Sequence, residues 1–534
     1  MGTKGRQSFN IGKFSVPERK QSNMASSKRF QVAVFVLVGF LCTVVPLAIR
    51  RVWQNRLEIG PETTVLSGPL TPYGIPDYIS ELNRIGQEGV TAENNAAVKL
   101  LEIVEVSPQR EEALQVLLKV MGLTRSPDGP RLKRISPLAL EEVGGSLDQQ
   151  NQDSGKVRDE AAEACLAPWK AGSYPYLERW ISKNEAMLEV LVEGSKRSRY
   201  FIPQRSGLPF YSRSELADTV REIHLLLLTT AMREYGEGRL EHSGELALSA
   251  YRWSLRLRTS VWYGDRLVSN SMSSTAAMTL ARILEAEVAG PFLDRWESEF
   301  QETTCNDDSA EIENRASRYE HLNLFLLPIA ADEKRPPSED EKKTDWREVN
   351  LCLRQINHII DRFVVLLRTP SYPKRLHEIE AIALEPVDSS LPLTRGDYQV
   401  FETWRSIYRS ITGSEARIQA RRRLLELEFA LAKYRRDNKS WPEKLEALTP
   451  KYVATIPIDP CTDTANWIYR KTETGFDLYS PGLNEVDELI DIAMTGHRGD
   501  DFGLFEIQAP LWEDEESEME SNSTEEEKGE DEEN

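Results

Sequence analysis

Val32 to Ile49 reads Val-Ala-Val-Phe-Val-Leu-Val-Gly-Phe-Leu-Cys-Thr-Val-Val-Pro-Leu-Ala-Ile, 18 residues without a charge. A helix of about that length matches the hydrocarbon thickness of a bilayer. The run is apolar on every side and follows a polar stretch, which sets it apart from a buried core helix. Arg50 and Arg51 come straight after it and no small-x-small pattern is present, so it does not read as a cleaved signal peptide. Pro46 falls near the far end, where a lost backbone hydrogen bond costs least. The expectation is a single transmembrane helix over residues 30–51 and, with it, a membrane as the first partner.

The flanking charges orient that helix. Lys4, Arg6, Lys13, Arg19, Lys20, Lys28 and Arg29 precede it against Glu18, whereas Arg50, Arg51 and Arg56 soon give way to Glu58 and Glu62. Positive charge stays on the cytoplasmic side. Residues 1–29 are therefore expected to be a cytoplasmic basic segment. The bulk of the chain would lie outside the cytoplasmic (inner) membrane, in the manner of a single-pass signal-anchor protein.

Beyond the anchor, 534 residues exceed one hydrophobic core, so several domains are expected. The net charge of -20 is concentrated at the end. Glu513 to Asn534 hold 13 acids and one lysine, which leaves only -8 for the other 512 residues. A segment so charged and so poor in apolar side chains cannot offset its ordering entropy, and 506–534 reads as a disordered acidic tail. A mostly negative field disfavours nucleic acid as a partner. Cys42, Cys165, Cys305, Cys352 and Cys461 show no C-x-x-C spacing, which argues against a zinc site or a disulfide framework. A bridge among the four outside the apolar run stays open.

The remaining chain is mainly α. Residues 52–76 are rich in Pro, Gly and Thr and read as a linker. An irregular all-α domain is expected over 77–423. Tyr78 to Arg84 suits one helical face. Thr91 is placed to cap a helix burying Ala96, Ala97, Leu100, Leu101 and Val104. Leu216, Val220, Ile223, Leu227 and Ala231 repeat at helical intervals, and Glu245–Leu257 and Thr275–Glu287 follow suit. Asp345 and Glu348 form a capping-box pattern ahead of the stripe Ile356, Ile360, Phe363 and Leu367. Gly144–Gly155 and Ala331–Thr344 read as exposed loops. Trp169, Tyr174, Tyr176, Trp180, Trp253, Trp262 and Tyr263 read as core, with a carbohydrate or peptide groove as the alternative.

A different grammar occupies 424–505. Leu424, Leu427, Leu431 and Tyr434 form one stripe of a helix that starts in Arg421-Arg422-Arg423. Ser440 and Glu443 fit a capping box, with Trp441-Pro442 in the first turn of a short helix. Ile456-Pro457-Ile458-Asp459-Pro460 cannot be helical. Trp467–Arg470 and Phe476–Ser480 form a β-hairpin around Gly475.

Ala430–Tyr434, Trp441-Pro442, Asp459-Pro460, Tyr469 and Asp477-Leu478-Tyr479-Ser480-x-Gly482 together resemble the C-terminal part of type II secretion major pseudopilins. The likeness implies a small α+β pilin-like module. It also implies a calcium loop whose matching positions are Ser480, Asn484, Asp487 and Asp500 or Asp501, since Ca²⁺ takes several hard oxygen ligands. Asn484 stands where the family has aspartate, and Val486–Met494 replaces a glycine-rich stretch, so a turn of solvated acids competes with the metal site. The family's prepilin-peptidase signature is missing, because Gly39-Phe40 is mid-run and no acid occurs between Lys20 and Arg51. The chain is thus read as a pilin-type module on an anchored helical protein. Leu82-Asn83-Arg84, Gly89–Ala97 and Tyr200-Phe201-Ile202-Pro203 resemble large bacterial membrane-anchored proteins with the same ending.

No P-loop, G-x-G-x-x-G, G-x-S-x-G or H-E-x-x-H occurs. His224 and His358 lie in apolar helical stretches and read as core histidines, and Cys352 as a small buried hydrophobe. No catalytic residue and no cofactor beyond calcium is indicated. Two functions remain. One is a non-enzymatic envelope protein that contacts other envelope proteins. The alternative is an extracytoplasmic hydrolase with an acidic active site near Glu222 or the Asp345–Asp361 helix.

Overall fold

A computed structural model of the chain describes residues 55–104, 111–124, 129–135, 147–204, 215–286, 289–303, 309–333, 344–386, 395–465, 467–473, 475–483 and 502–503. The basic segment 1–29, the apolar run and the acidic tail lie outside these residues. Among the described residues no helix is long and apolar enough to cross a membrane.

The elements are α1 Tyr78–Gln87, α2 Ala96–Ile103, α3 Glu111–Val120, α4 Leu147–Ala164, α5 Pro175–Asn184, α6 Leu188–Ser195, α7 Glu215–Gly236 and α8 Leu240–Arg258. They continue as α9 Tyr263–Leu284, α10 Leu293–Glu302, α11 Ser309–Ile312, a π-turn Glu313–Ser317, α12 Arg318–Glu333, α13 Trp346–Leu367, α14 Tyr372–Ala381 and α15 Arg395–Asn438. Strands β1 Ile468–Lys471, β2 Phe476–Ser480 and β3 Phe502–Gly503 close the order. The chain is mainly helical, as its periodicities require.

The described residues divide into a small unit, 55–58 with 344–351, and a large one holding the other described residues. In the small unit the Asn350 side chain accepts from the Glu58 N–H at 2.9 Å and donates to the Arg56 carbonyl at 2.8 Å. In the large unit α7, α8 and α9 pack side by side, with α15 against α9 and α10 against α8. One apolar cluster runs through them from Ala96 to Leu478. A second joins Ile356, Ile360, Phe363 and Leu367 of α13 to Phe401, Trp404 and Tyr408 of α15, as the α13 stripe predicts. Each large side chain buried there contributes about 1.5–3 kcal/mol relative to exposure.

The four tryptophans singled out from the sequence, Trp169, Trp180, Trp253 and Trp262, are core, and each of these satisfies its indole N–H on a carbonyl. Trp169 donates to Thr229 at 3.2 Å, Trp180 to Lys133 at 2.7 Å, Trp253 to Leu191 at 2.9 Å and Trp262 to Ile202 at 3.0 Å. Buried indoles need such partners.

The phrases singled out in the first quarter of the sequence meet an extended strap at 199–204. Asn83 donates to the Gln204 carbonyl at 2.8 Å and accepts its N–H at 2.9 Å. Asn95 does the same for Phe201, at 2.8 and 3.0 Å. Two side-chain amides thus stand in for a neighbouring strand. Gly86 lets the Phe201 ring approach, since a Cβ there would lie 2.4 Å from it.

Several boundaries differ from expectation. Asn95, not Thr91, caps α2, accepting the Ala97 N–H at 3.1 Å. Thr91 and Asn94 instead close a turn just before it. The 60–76 segment is packed rather than loose: Thr63, Thr64 and Ile75 are buried, and Tyr78 donates to the Thr64 carbonyl at 2.8 Å. The polar run from Leu147 is helical, continuous with the turns that bury Val157, Ala161 and Ala164. Position 424 lies inside α15, whose 44 residues pass through the basic run. There Arg421 is buried, Arg422 donates to the Thr303 carbonyl at 2.7 Å, and Arg423 pairs with Glu426 at 2.8 Å.

After α15, Trp441-Pro442 precedes the short helix instead of opening it. A 3₁₀ turn spans Leu445–Leu448. Trp441 is pinned against Phe476, ring centroids 4.7 Å apart, and the Tyr469 hydroxyl donates to the Pro442 carbonyl at 2.7 Å. The hairpin forms as expected, with Ile468 opposite Tyr479 and Lys471 opposite Phe476. β3 adds antiparallel to β2.

Candidate functional site

Of the expected calcium positions, Ser480 is described and faces inward. It is fully buried, donates to Asp459 Oδ2 at 2.7 Å and accepts the Gly482 N–H at 3.1 Å. Asp459 also accepts the Cys461 N–H at 2.9 Å. Two fragments of the pseudopilin-like pattern, Asp459-Pro460 and Ser480-x-Gly482, are therefore joined by one hydrogen bond. Asn484, Asp487, Asp500 and Asp501 lie outside the described residues. Among the described residues no group of three or more His, Cys, Asp or Glu side chains is arranged to hold a metal ion.

The histidines divide between core and surface. His224 is buried, with Nε2 2.7 Å from the Thr275 hydroxyl, and burial pulls its pKa down to about 3. His358 is half-buried in α13 and His377 is exposed. Each acid singled out from sequence has an arginine of its own as partner. Burial raises the pKa of Glu222, which pairs with Arg134 at 3.4 Å. Asp345 is lowered by its hydrogen bond with Arg347. Asp361 is exposed and pairs with Arg318 at 2.5 Å.

One group of acids that converges is Asp265, Glu313 and Glu320, at the start of α9 and on the π-turn and α12. Trp262, the residue before α9, provides no side-chain cap. The Glu320 carboxylate takes that role from a distance, accepting the Tyr263 N–H at 3.0 and 3.1 Å. A negative charge at a helix N-terminus is favourable. Burial outweighs it, and Glu320 rises to about 8, with Arg266 pulling the other way. Asp265 accepts from the Ser260 hydroxyl at 2.7 Å, and burial pushes it up to about 6. Glu313 is raised by burial too, against the pull of Arg266. Arg266 lies 3.4 Å from Glu313 and donates to the Ser317 hydroxyl at 2.6 Å.

Glu313 and Arg266 line a cavity of about 60 Å³ with Tyr263, Asn270 and Ser414. Glu313 Oε2 and Arg266 Nε are buried without a hydrogen-bond partner. That volume holds about two water molecules, at roughly 30 Å³ each, and no larger substrate. Sequence reasoning passed over this trio. The signal it left was Glu313, Ser317 and Glu320 at helical spacing beside Ala316 and Leu327.

A larger space lies elsewhere in the same unit. A cleft of about 590 Å³ opens between the α7–α8 turn and α10, lined by residues including Arg239, His242, Glu245, Phe292, Arg295 and Glu299. Ligand sites usually measure roughly 300–1,000 Å³. Beside it Glu234 is 4% exposed. Glu234 accepts two hydrogen bonds from Arg239, at 2.5 and 2.8 Å, and sits 3.2 Å from His242 Nδ1. Burial pushes its pKa up, but the Arg239 and His242 hydrogen bonds outweigh burial and hold it at about 2.

No protein-family model matches the chain, and neither a curated protein nor a solved structure matches it significantly.

Proposed function

We propose that this chain is a membrane-anchored envelope protein that works by contacting other envelope proteins and not by catalysis. The charge-free run at 32–49 and the basic segment before it support the anchor and its orientation. The observation that carries the non-catalytic reading is a separation. Of the raised acids Asp265, Glu313 and Glu320, Glu313 alone lines the cavity of about 60 Å³, while the cleft of about 590 Å³ is walled by ion-paired acids. A general acid needs a raised pKa and reach to a substrate at one place. The C-terminal module fits a docking role because α15 runs from the helical core into it, and Ile458 stays 60% exposed on its surface.

The test combines topology with contact. A photo-crosslinker at Ile458 in whole cells should capture other envelope proteins, and a reporter fused after Asn534 should be active outside the cytoplasm. Release of the intact chain by carbonate washing, or reporter activity confined to the cytoplasm, would overturn the proposal.

A second reading, an extracytoplasmic hydrolase, draws on the convergence of Asp265, Glu313 and Glu320. Turnover of peptide, ester or glycoside reporters that is abolished by Glu320→Gln would establish it. Calcium at Ser480, Asn484, Asp487, Asp500 and Asp501 would draw on the Ser480 carbonyl, or on the hydroxyl lone pair left after the bonds to Asp459 and Gly482. Calorimetry on the detergent-solubilised chain, showing no heat with Ca²⁺, would remove that site.

A further inference from the structure

We infer that the cleft between the α7–α8 turn and α10 binds a neutral polyhydroxylated ligand, a saccharide. The site is separate from the proposed docking surface and independent of where the chain is anchored.

The charges around the cleft cancel in pairs. Arg295 pairs with Glu241 at 2.7 Å, Arg252 with Glu299 at 2.7 Å, Lys196 with Glu245 at 3.4 Å and Arg239 with Glu234. An anion entering here would meet the carboxylates of Glu241, Glu245 and Glu299. A cation would meet the guanidiniums of Arg239 and Arg295. Neither gains from the field, and a purely apolar ligand would strand the polar groups it covers.

The same pairs leave hydrogen-bonding capacity unused. A guanidinium has five N–H donors, and Arg239 gives two of its own to Glu234. Each paired carboxylate can accept more than its partner supplies. Hydroxyl groups both donate and accept, so a polyol satisfies this mixed rim without a net charge.

His242 adds a ring nitrogen to the rim. Glu234 is ionised and can only accept, so the proton between them sits on His242 Nδ1 and donates to Glu234. Nε2 is then left for a ligand hydroxyl, which can donate or accept, on a side chain 46% exposed at the cleft. The cleft is also firm. Phe292 stacks on Trp296 at 5.3 Å and 30°. Trp296 fits because position 244 is glycine, where a Cβ would lie 2.2 Å from the indole. The half-buried Phe292 offers an apolar edge to the C–H face of a sugar ring, while the charged rim meets its hydroxyls.

The test uses the full chain in micelles of a detergent without a sugar headgroup. Saturation-transfer NMR would be run against neutral hexose and N-acetylhexosamine tetrasaccharides, with inorganic phosphate and trilysine as charged probes. At least one neutral oligosaccharide should take up saturation, and neither charged probe should compete with it. His242→Ala and Arg295→Ala, both at exposed side chains, should each weaken that binding about tenfold or more and leave the melting temperature within a few degrees. Absence of saturation transfer to every saccharide would overturn the inference. So would competition by phosphate or trilysine, or full binding in both variants.

Discussion

Glu234 and Glu320 have nearly the same exposed fraction, 4% and 3%, but Glu320 lies much deeper, and one titrates at about 2 and the other at about 8. Burial pushes both upward. Depth and the supply of donors separate them. Glu234 has the Arg239 fork and His242 to itself, beside an open cleft. Glu320 has one backbone N–H and shares the pull of Arg266 with Asp265 and Glu313. A small exposed area alone therefore does not mark a perturbed acid; depth and the ratio of carboxylates to local cations do. The crowded cluster has the perturbed acids and no room. The cleft has the room and ordinary ion pairs.

The largest effect should come from removing the cation that all three crowded acids share. Arg266→Met should destabilise the chain by about 3–4 kcal/mol at pH 7, because it leaves buried carboxylates uncompensated. Denaturant unfolding checks this. The cost should shrink at pH 5, where more of the cluster is protonated. A cost that does not change with pH would mean Arg266 acts by packing and not by charge.

The two regions should also respond to pH in opposite directions. Asp265 and Glu320 have folded pKa values above their unfolded ones. Their contribution to stability is complete below about pH 4 and is lost as pH rises through about 6 and then about 8. Glu234 is depressed, so its contribution is present above about pH 4 and is lost as pH falls toward about 2. Glu320→Gln should stabilise the chain at pH 8 by about 2 kcal/mol and flatten its decline above pH 6. Glu234→Gln should cost about 1.5 kcal/mol at pH 7 and nearly nothing at pH 2, a figure kept low because Arg239 can return to solvent. Melting curves from pH 2 to pH 9 would show both slopes. Parallel slopes in the two variants would erase the distinction.

What the sequence revealed follows from how local the information is. The α13 stripe, the α7 repeat and the hairpin around Gly475 are written within single segments, and the structure has them where periodicity places them. Long-range pairing was not legible in that way. Nothing near Asn95 announces that its amide will hold Phe201, and nothing near Tyr263 announces that Glu320 will cap its helix. The polar start of α4 was misread because its own residues carry no stripe; the helix is set by Val157, Ala161 and Ala164 further on. The separate helix expected at 424 failed for a related reason. Arginines looked like an exposed helix start, but Arg421 is buried and Arg422 reaches the Thr303 carbonyl, so the helix runs on through them.

Of the site residues, Ser480 was recognised by pattern, but its role depends on Asp459, 21 residues away. Ser480→Ala should cost about 1–2 kcal/mol, because it leaves a buried carboxylate oxygen without its hydroxyl donor. Hydrogen exchange should show that loss mainly in β1, β2 and the 457–464 loop. Exchange spread evenly through α7 to α9 would instead mean that module and helical core unfold as one unit. That outcome would weaken the reading of 424–505 as a module with its own framework.

The smallest effect distinguishes the cleft from the cluster most directly. His242 is exposed, and its partner Glu234 keeps both hydrogen bonds from Arg239 when the imidazole is gone. An exposed pair of this kind contributes little, so His242→Ala should change unfolding free energy by less than about 0.5 kcal/mol. Its counterpart in the crowded region, His321, is held by the Ser317 carbonyl at 2.6 Å and by the Trp404 ring at 4.6 Å. His321→Ala should therefore cost about 2 kcal/mol or more, through lost packing and a lost hydrogen bond. If His242 proved as costly as His321, the cleft would be part of the core's support, and its open imidazole would have a structural duty instead of a binding one.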